Sequence, residues 1–264
     1  MHSKNAEVAS HYLVEFPGVQ PSRRWVAVSC GQHVVLAGKP GPGEGSAKSY
    51  VLAVSWQPGF CETKPEKPEC ASMTPDRFDA THFSLHGLWP QPISNVYCNV
   101  AQAQITLDED RRWNELDPLE LTPETRASLD VVMPGTMSGL HRHEWVKHGS
   151  CYGDGSPEKY FRDSLALINA LNASGVQDLF ETNIGQDITT AAISTAFSAG
   201  FGLEAGERVK FMCNGDQGRT LITEMQLQLR GTISENPDLG ELLLAGSRVG
   251  RVCSAGVIDP AGFQ

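Results

Sequence analysis

Phe83-Ser-Leu-His-Gly-Leu-Trp-Pro90 carries two messages at once. Residues 81–88 read as a short strand that Gly87 and Pro90 end, because proline cannot donate to a ladder. At its centre an imidazole, His86, sits beside a glycine and close to Trp89. Working outward, residues 25–36 are Val-rich and partly alternating, and residues 50–56 alternate again. Between them Lys39-Pro-Gly-Pro-Gly-Glu-Gly-Ser46 predicts a hairpin with a long connection. Residues 59–79 read as a charged, Pro-containing loop. Helices follow. Thr122-Pro-Glu124 and Ser156-Pro-Glu158 each place a hydroxyl cap before Pro at the first helical position. Phe161, Leu165, Ile168 and Leu171 then recur at helical spacing, and residues 188–197 read as a further short helix. Residues 208–213 and 221–229 return to strand patterning, with Asn214-Gly215 as the turn signal. Strands early and late with helices between them predict an α+β domain.

The 264 residues are 40% hydrophobic and 20% charged, enough for a sizeable core. No apolar run reaches the eighteen or so residues of a membrane span, so no membrane partner is expected. The net charge of -10 excludes broad electrostatic attraction to a phosphate backbone. Any nucleic-acid role rests on a local positive site, and His141-Arg-His143 with Lys147-His148 supplies one that gains charge as its histidines protonate. The seven cysteines form no C-x-x-C pair, and their wide scatter suits disulfides of an exported protein whose leader has been removed. Asn172-Ala-Ser174 matches a glycosylation sequon.

His143-Glu-Trp-Val-Lys-His-Gly-Ser-Cys151 is the second informative segment. On a helix, His143, Glu144, Lys147 and His148 fall within an arc of roughly 140°, with Trp145 pointing away toward a core. Two imidazoles can divide base and acid roles near neutral pH, and a nearby ammonium can stabilise an anionic transition state. That inventory suits phosphoryl chemistry without a metal. A zincin reading fails on spacing, since His148 lies five residues after His143 instead of four.

Both blocks, in this order, resemble the catalytic segments of the ribonuclease T2 family, and Ser55-Trp-Gln-Pro-Gly-Phe-Cys61 resembles the strand preceding the first. The flavour is that of bacterial periplasmic members. The resemblance spans residues 25–253 or so, and predicts residues 1–24 as an N-terminal extension and residues 25–264 as one disulfide-stabilised catalytic domain. It implies a mainly antiparallel central sheet with flanking helices. It also implies a metal- and cofactor-independent endoribonuclease that cleaves single-stranded RNA through a 2′,3′-cyclic phosphate. DNA, lacking the internal nucleophile, is spared. By resemblance His148 is the base, His86 the acid, His143 a phosphate contact, and Glu144 with Lys147 stabilise the transition state. Trp89 and Tyr97 match base-stacking positions, though core packing explains Trp89 nearly as well. Gln91 stands where some members carry an acidic residue, which implies low base specificity. The implied disulfides are Cys98–Cys151, Cys213–Cys253 and Cys61–Cys70, with Cys30 left over. A monomer, periplasmic or secreted, is expected. The alternative is a non-catalytic RNA- or protein-binding member of the same fold.

Overall fold

The computed structural model describes residues 11–16, 22–27, 48–153, 156–250 and 252–263, the first two stretches by backbone alone. The chain forms two compact units, residues 1–46 and 47–264. In the first, β1 (His11–Phe16) and β2 (Ser22–Ala27) pair antiparallel, with Leu13 opposite Trp25. The strand expected over residues 25–36 is therefore seen only as far as Ala27. Its remainder, the Gly/Pro connection and Cys30 lie outside the described residues.

The second unit runs β3 (Ser49–Ser55), α1 (Gln57–Glu62), α2 (Pro68–Ala71), β4 (Ser84–Pro90), α3 (Gln102–Glu109), α4 (Pro123–Val132) and α5 (Leu140–Lys147). It continues with α6 (Pro157–Asn172), α7 (Gly175–Thr182), β5 (Asp187–Thr189), α8 (Thr190–Phe201), β6 (Val209–Asp216), β7 (Arg219–Arg230), α9 (Leu239–Ala245) and β8 (Ala255–Val257). The sheet order is β4-β3-β7-β8-β5, with β6 also paired to β7. Every described pairing of two strands is antiparallel except β7 with β8, and an isolated bridge between Ile184 and Ile258 is also parallel. The result is α+β, as the sequence pattern predicts.

Both edges of β3 are taken, one by β4 and one by β7; the hairpin expected between residues 25–36 and 50–56 falls largely on residues outside those described. Residues 50–55 are all buried, which is why β3 reads as a nearly continuous apolar run. On β7 Met225, Leu227 and Leu229 are buried and alternate with the half-buried Glu224, Gln226 and Gln228. The apolar set joins Phe161, Leu165 and Ile168 of α6, Phe180 of α7, Phe197 of α8 and Leu243 of α9 in one core. Strand alternation then turns Glu224 to the opposite face.

Local chemistry explains most element boundaries. Thr122 and Ser156 accept from the N–H groups of Thr125 and Lys159, so both expected caps are present. Three expectations shift. Residues 59–79 contain the end of α1 and all of α2 instead of an open loop. Residues 187–189 pair with β8 before α8 begins. The β6–β7 turn lies at Gln217 and Gly218, both at positive φ (44° and 86°), while Asn214 and Gly215 stay in the ladder. Two successive positive φ values suit the twist of a tight hairpin.

Disulfides join Cys61 to Cys70, Cys98 to Cys151, and Cys213 to Cys253. The second ties the segment after β4 to the turn after α5, and closing that loop stabilises by about 4 kcal/mol on the chain-entropy model. Asn172, the sequon residue, is already committed: its amide accepts from the Phe83 N–H and donates to the Phe83 carbonyl, both at 2.9 Å. A glycan on that nitrogen would break the clamp between α6 and the entry to β4. Asn172→Ala should lower unfolding free energy by about 1–3 kcal/mol, because it strands backbone groups. A urea titration with no shift in midpoint would contradict that reading.

Candidate active site

Between β3 and β4 the register slips: Ala53 faces Gly87 and Val54 faces Leu85, which leaves His86 as the extra residue of a β-bulge. A bulge leaves its extra residue unpaired and redirects the side chain. His82 precedes the strand, with its ring stacked on Phe78 at 4.2 Å. Gly87 is required by close approach, since a Cβ there would lie 1.9 Å from Glu144 Oε2 and 2.9 Å from Trp89 Nε1.

The other half of the site is α5. It starts after Gly139, whose φ of 81° is a left-handed conformation glycine adopts without penalty. Trp145 packs edge-on against Tyr160 on the inner side. His143, Glu144 and Lys147 come from the helix itself, and His148 is its C-cap. Glu144 is only 1% exposed. Its Oε2 accepts from the Trp89 indole N–H at 2.9 Å, while Oε1 has no hydrogen-bond partner. That free oxygen faces two imidazoles, His86 Nε2 at 3.6 Å and His143 Nε2 at 3.8 Å.

Each of these two rings is held from behind by a carboxylate. His86 Nδ1 lies 2.6 Å from Glu224 Oε2, and His143 Nδ1 lies 2.6 Å from Asp108 Oδ1. Asp108, buried on α3, also accepts from the Tyr97 hydroxyl at 2.8 Å. The indole of Trp113 stacks on His143 with ring centres 4.4 Å apart. His148 lacks such a carboxylate. It is 5% exposed, its Nδ1 has no hydrogen-bond partner, and the Trp89 ring lies 5.4 Å away.

The two environments drive the imidazoles apart. Burial lowers the His86 pKa, but the hydrogen bond and charge of Glu224, with the charge of Glu144, outweigh it and push it up to about 9. Burial, then the nearby Lys147, His143 and His86, lower His148 to about 3. Burial likewise raises Glu144 despite the opposing pull of His86 and His143. The local positive site foreseen from 141–148 is thus corrected. His141 is buried against Arg126 and lowered to about 4 by burial and that guanidinium, so neither it nor His148 charges in mild acid.

The structure gathers His86, Trp89, His143, Glu144 and His148 around one point. Lys147 lines the adjoining cleft with Tyr97, Asp108 and His143. Tyr97 is pinned at both ends, its N–H donating to the Lys147 carbonyl at 2.9 Å. Gln91 turns back on its own strand, donating to the Trp89 carbonyl at 3.1 Å. Sequence reading missed Asp108, Glu224 and Trp113, which lie far from either block. Glu224 left only one trace, an acid at a polar position of an alternating strand. Among the described residues no group of three or more His, Cys, Asp or Glu side chains is placed to hold a metal ion.

Comparison with known proteins places this geometry. A profile of the ribonuclease T2 family matches residues 47–236. The chain is 30% identical over 247 residues to ribonuclease I of Escherichia coli, covering 83% of this chain and 88% of that one. Human ribonuclease T2 is 29% identical over 137 residues, 49% of this chain and 45% of its own. Among solved structures, a mutant form of ribonuclease MC1 superposes with a TM-score of 0.53 at 16% identity, over 80% of this chain and 99% of that one, a likeness of fold. The chain therefore belongs to the ribonuclease T2 family.

Proposed function

We propose that this endoribonuclease cleaves single-stranded RNA by transesterification, with His148 as base and His86 as acid. The observation that carries the reading is the opposite charging of two imidazoles beside one buried carboxyl. Neutral His148 takes the proton of the ribose 2′-OH, whose oxygen attacks the adjacent phosphorus. Charged His86 gives its Nε2 proton to the departing 5′-oxygen, leaving a 2′,3′-cyclic phosphate and a 5′-hydroxyl end. His143 contacts the phosphate. Glu144, with Oε1 unpartnered and aimed into the site, acts with Lys147 to stabilise the transition state as negative charge grows on the phosphorane. DNA lacks the 2′-OH nucleophile.

Trp89 and Tyr97 flank the site as base-stacking candidates, and Gln91, spent on its own backbone, supports low base specificity. The three disulfides favour an oxidising compartment, periplasmic or secreted. No helix among the described residues is long and apolar enough to cross a membrane. The catalytic domain is taken as a monomeric unit of residues 25–264, with residues 1–24 an extension; all the named chemistry lies beyond residue 47.

Cleavage of mixed-sequence RNA in excess EDTA, with ends read by mass spectrometry, tests the reaction. Cyclic phosphate ends that vanish with His86→Phe are expected. RNA left intact across the pH range would favour the non-catalytic binding role instead.

The rate should follow the fraction with His148 neutral and His86 charged. The kcat/KM profile then forms a plateau from an acid limb near 3 to an alkaline limb near 9. A rate still undiminished well above the alkaline limb would exclude His86 as acid. Substituting His86 or His148 with Phe should each cost about 10²–10⁴-fold in kcat. His143→Phe should act mainly on KM, and equal kcat losses for all three would overturn the division of roles. Gly87→Ala should displace Glu144 and lower kcat/KM by about 10²-fold with the fold intact. Wild-type kinetics in that variant would show that the contact is dispensable.

A further inference from the structure

Glu224 lies on β7, separated from β4 by the whole width of β3. Its reach to His86 is nevertheless organised at both ends. Its Oε1 accepts from Gln226 Nε2 at 2.8 Å, two residues along the same strand, while Oε2 takes His86 Nδ1 at 2.6 Å. The β3 residue in register with Glu224 is the small Ser55, and Ser55, His86 and Glu224 line the same cavity. Register slips occur on both sides of this bridge. One makes His86 the extra residue of β4, and the other makes Thr223, next to Glu224, the extra residue opposite Met212 and Cys213 of β6. Two bulges beside one carboxylate–imidazole pair are a costly way to build a sheet unless the pair has a use.

We propose that Glu224 is the positioning residue for the acid of the reaction, fixing the His86 ring so that Nε2, with its proton, faces the leaving group. The proposal rests on the reading of His86 as that acid. With Nδ1 committed to Glu224, the ring cannot turn Nδ1 toward Glu144, and the only N–H left to give points into the site. The groups facing His86 come from three elements: Glu224 on β7, Glu144 and the neutral His148 from α5 and its cap, and Lys67 with Glu69 from the start of α2. Lys67 opposes a charged ring and Glu144 favours it, but Glu144 holds its own proton more tightly than an exposed carboxyl does. Glu224 is the carboxylate in hydrogen-bond contact with the ring, and its own pKa falls because the gain from His86 outweighs burial.

Glu224→Gln keeps the shape and removes the charge, and an intact thermal melt would show that the fold survives. Two substrates separate the roles: RNA, whose alkoxide leaving group needs an acid, and a uridine 3′-(4-nitrophenyl phosphate) ester, whose leaving group departs without one. On RNA the variant's alkaline limb should move down by at least about one pH unit toward an ordinary imidazole, so that its deficit at pH 8.5 exceeds that at pH 5 by at least about threefold. On the aryl ester both Glu224→Gln and His86→Phe should lose less than about a tenth as much as on RNA, and Glu224→Asp should recover part of the RNA rate. Equal losses on the two substrates with an unmoved alkaline limb would reduce Glu224 to a structural role and overturn the proposal. Full RNA cleavage by His86→Phe would instead overturn the acid assignment on which it stands.

Discussion

The buried carboxyl of Glu144 organises everything around it. One oxygen is held by the Trp89 indole and the other is left facing two imidazoles. An unpaired carboxylate withdrawn from water is expensive by several kcal/mol, so the surroundings have to offset that cost or keep the proton on. Both happen here. Gly87 lacks the side chain that would collide with the carboxyl, Trp89 satisfies one oxygen, and the rings of His86 and His143 approach the other without closing on it.

Two carboxylates behind the site give the rings different tasks. Asp108 and Glu224 each grip one Nδ1, while His148 is left without a comparable partner. A hydrogen-bonded carboxylate favours the charged form of an imidazole, and burial without one favours the neutral form. On the proposed assignment, acid and base are distinguished by what lies behind each ring and not by the residue type, in the free protein before substrate arrives. The sheet supplies the carboxylate for His86 through β7, and the helical layer supplies that for His143 through α3.

Much of this was legible in the sequence, and the reasons for the rest are physical. The two caps at Thr122 and Ser156 rest on three- or four-residue patterns and appear where expected. The two histidine blocks are each contiguous, so His86, His143, Glu144, Lys147 and His148 could be named at once. Glu224 and Asp108 could not, because a contact between residues 86 and 224 depends on strand order, and strand order has no local signal. The same holds for β3, whose partners could not be chosen by alternation alone: a hairpin with residues 25–36 looked as good as the β4 and β7 pairings that form. The His86 bulge hid for a different reason, since a one-residue slip leaves no mark in composition. The expected charging of the histidines in residues 141–148 depended on packing that no local pattern shows, since His141 and His148 are buried and their pKa values fall.

The central claim is that the imidazoles of His86 and His148 carry opposite charge states in the resting protein. Nitrogen-15 NMR of histidine-labelled protein at about pH 6.5 reads this directly, because protonated and neutral imidazoles differ in ring-nitrogen shift, with His→Phe variants supplying the assignments. The account predicts both nitrogens of His86 protonated and one nitrogen of His148 bare. A neutral His86 beside a charged His148 would contradict it.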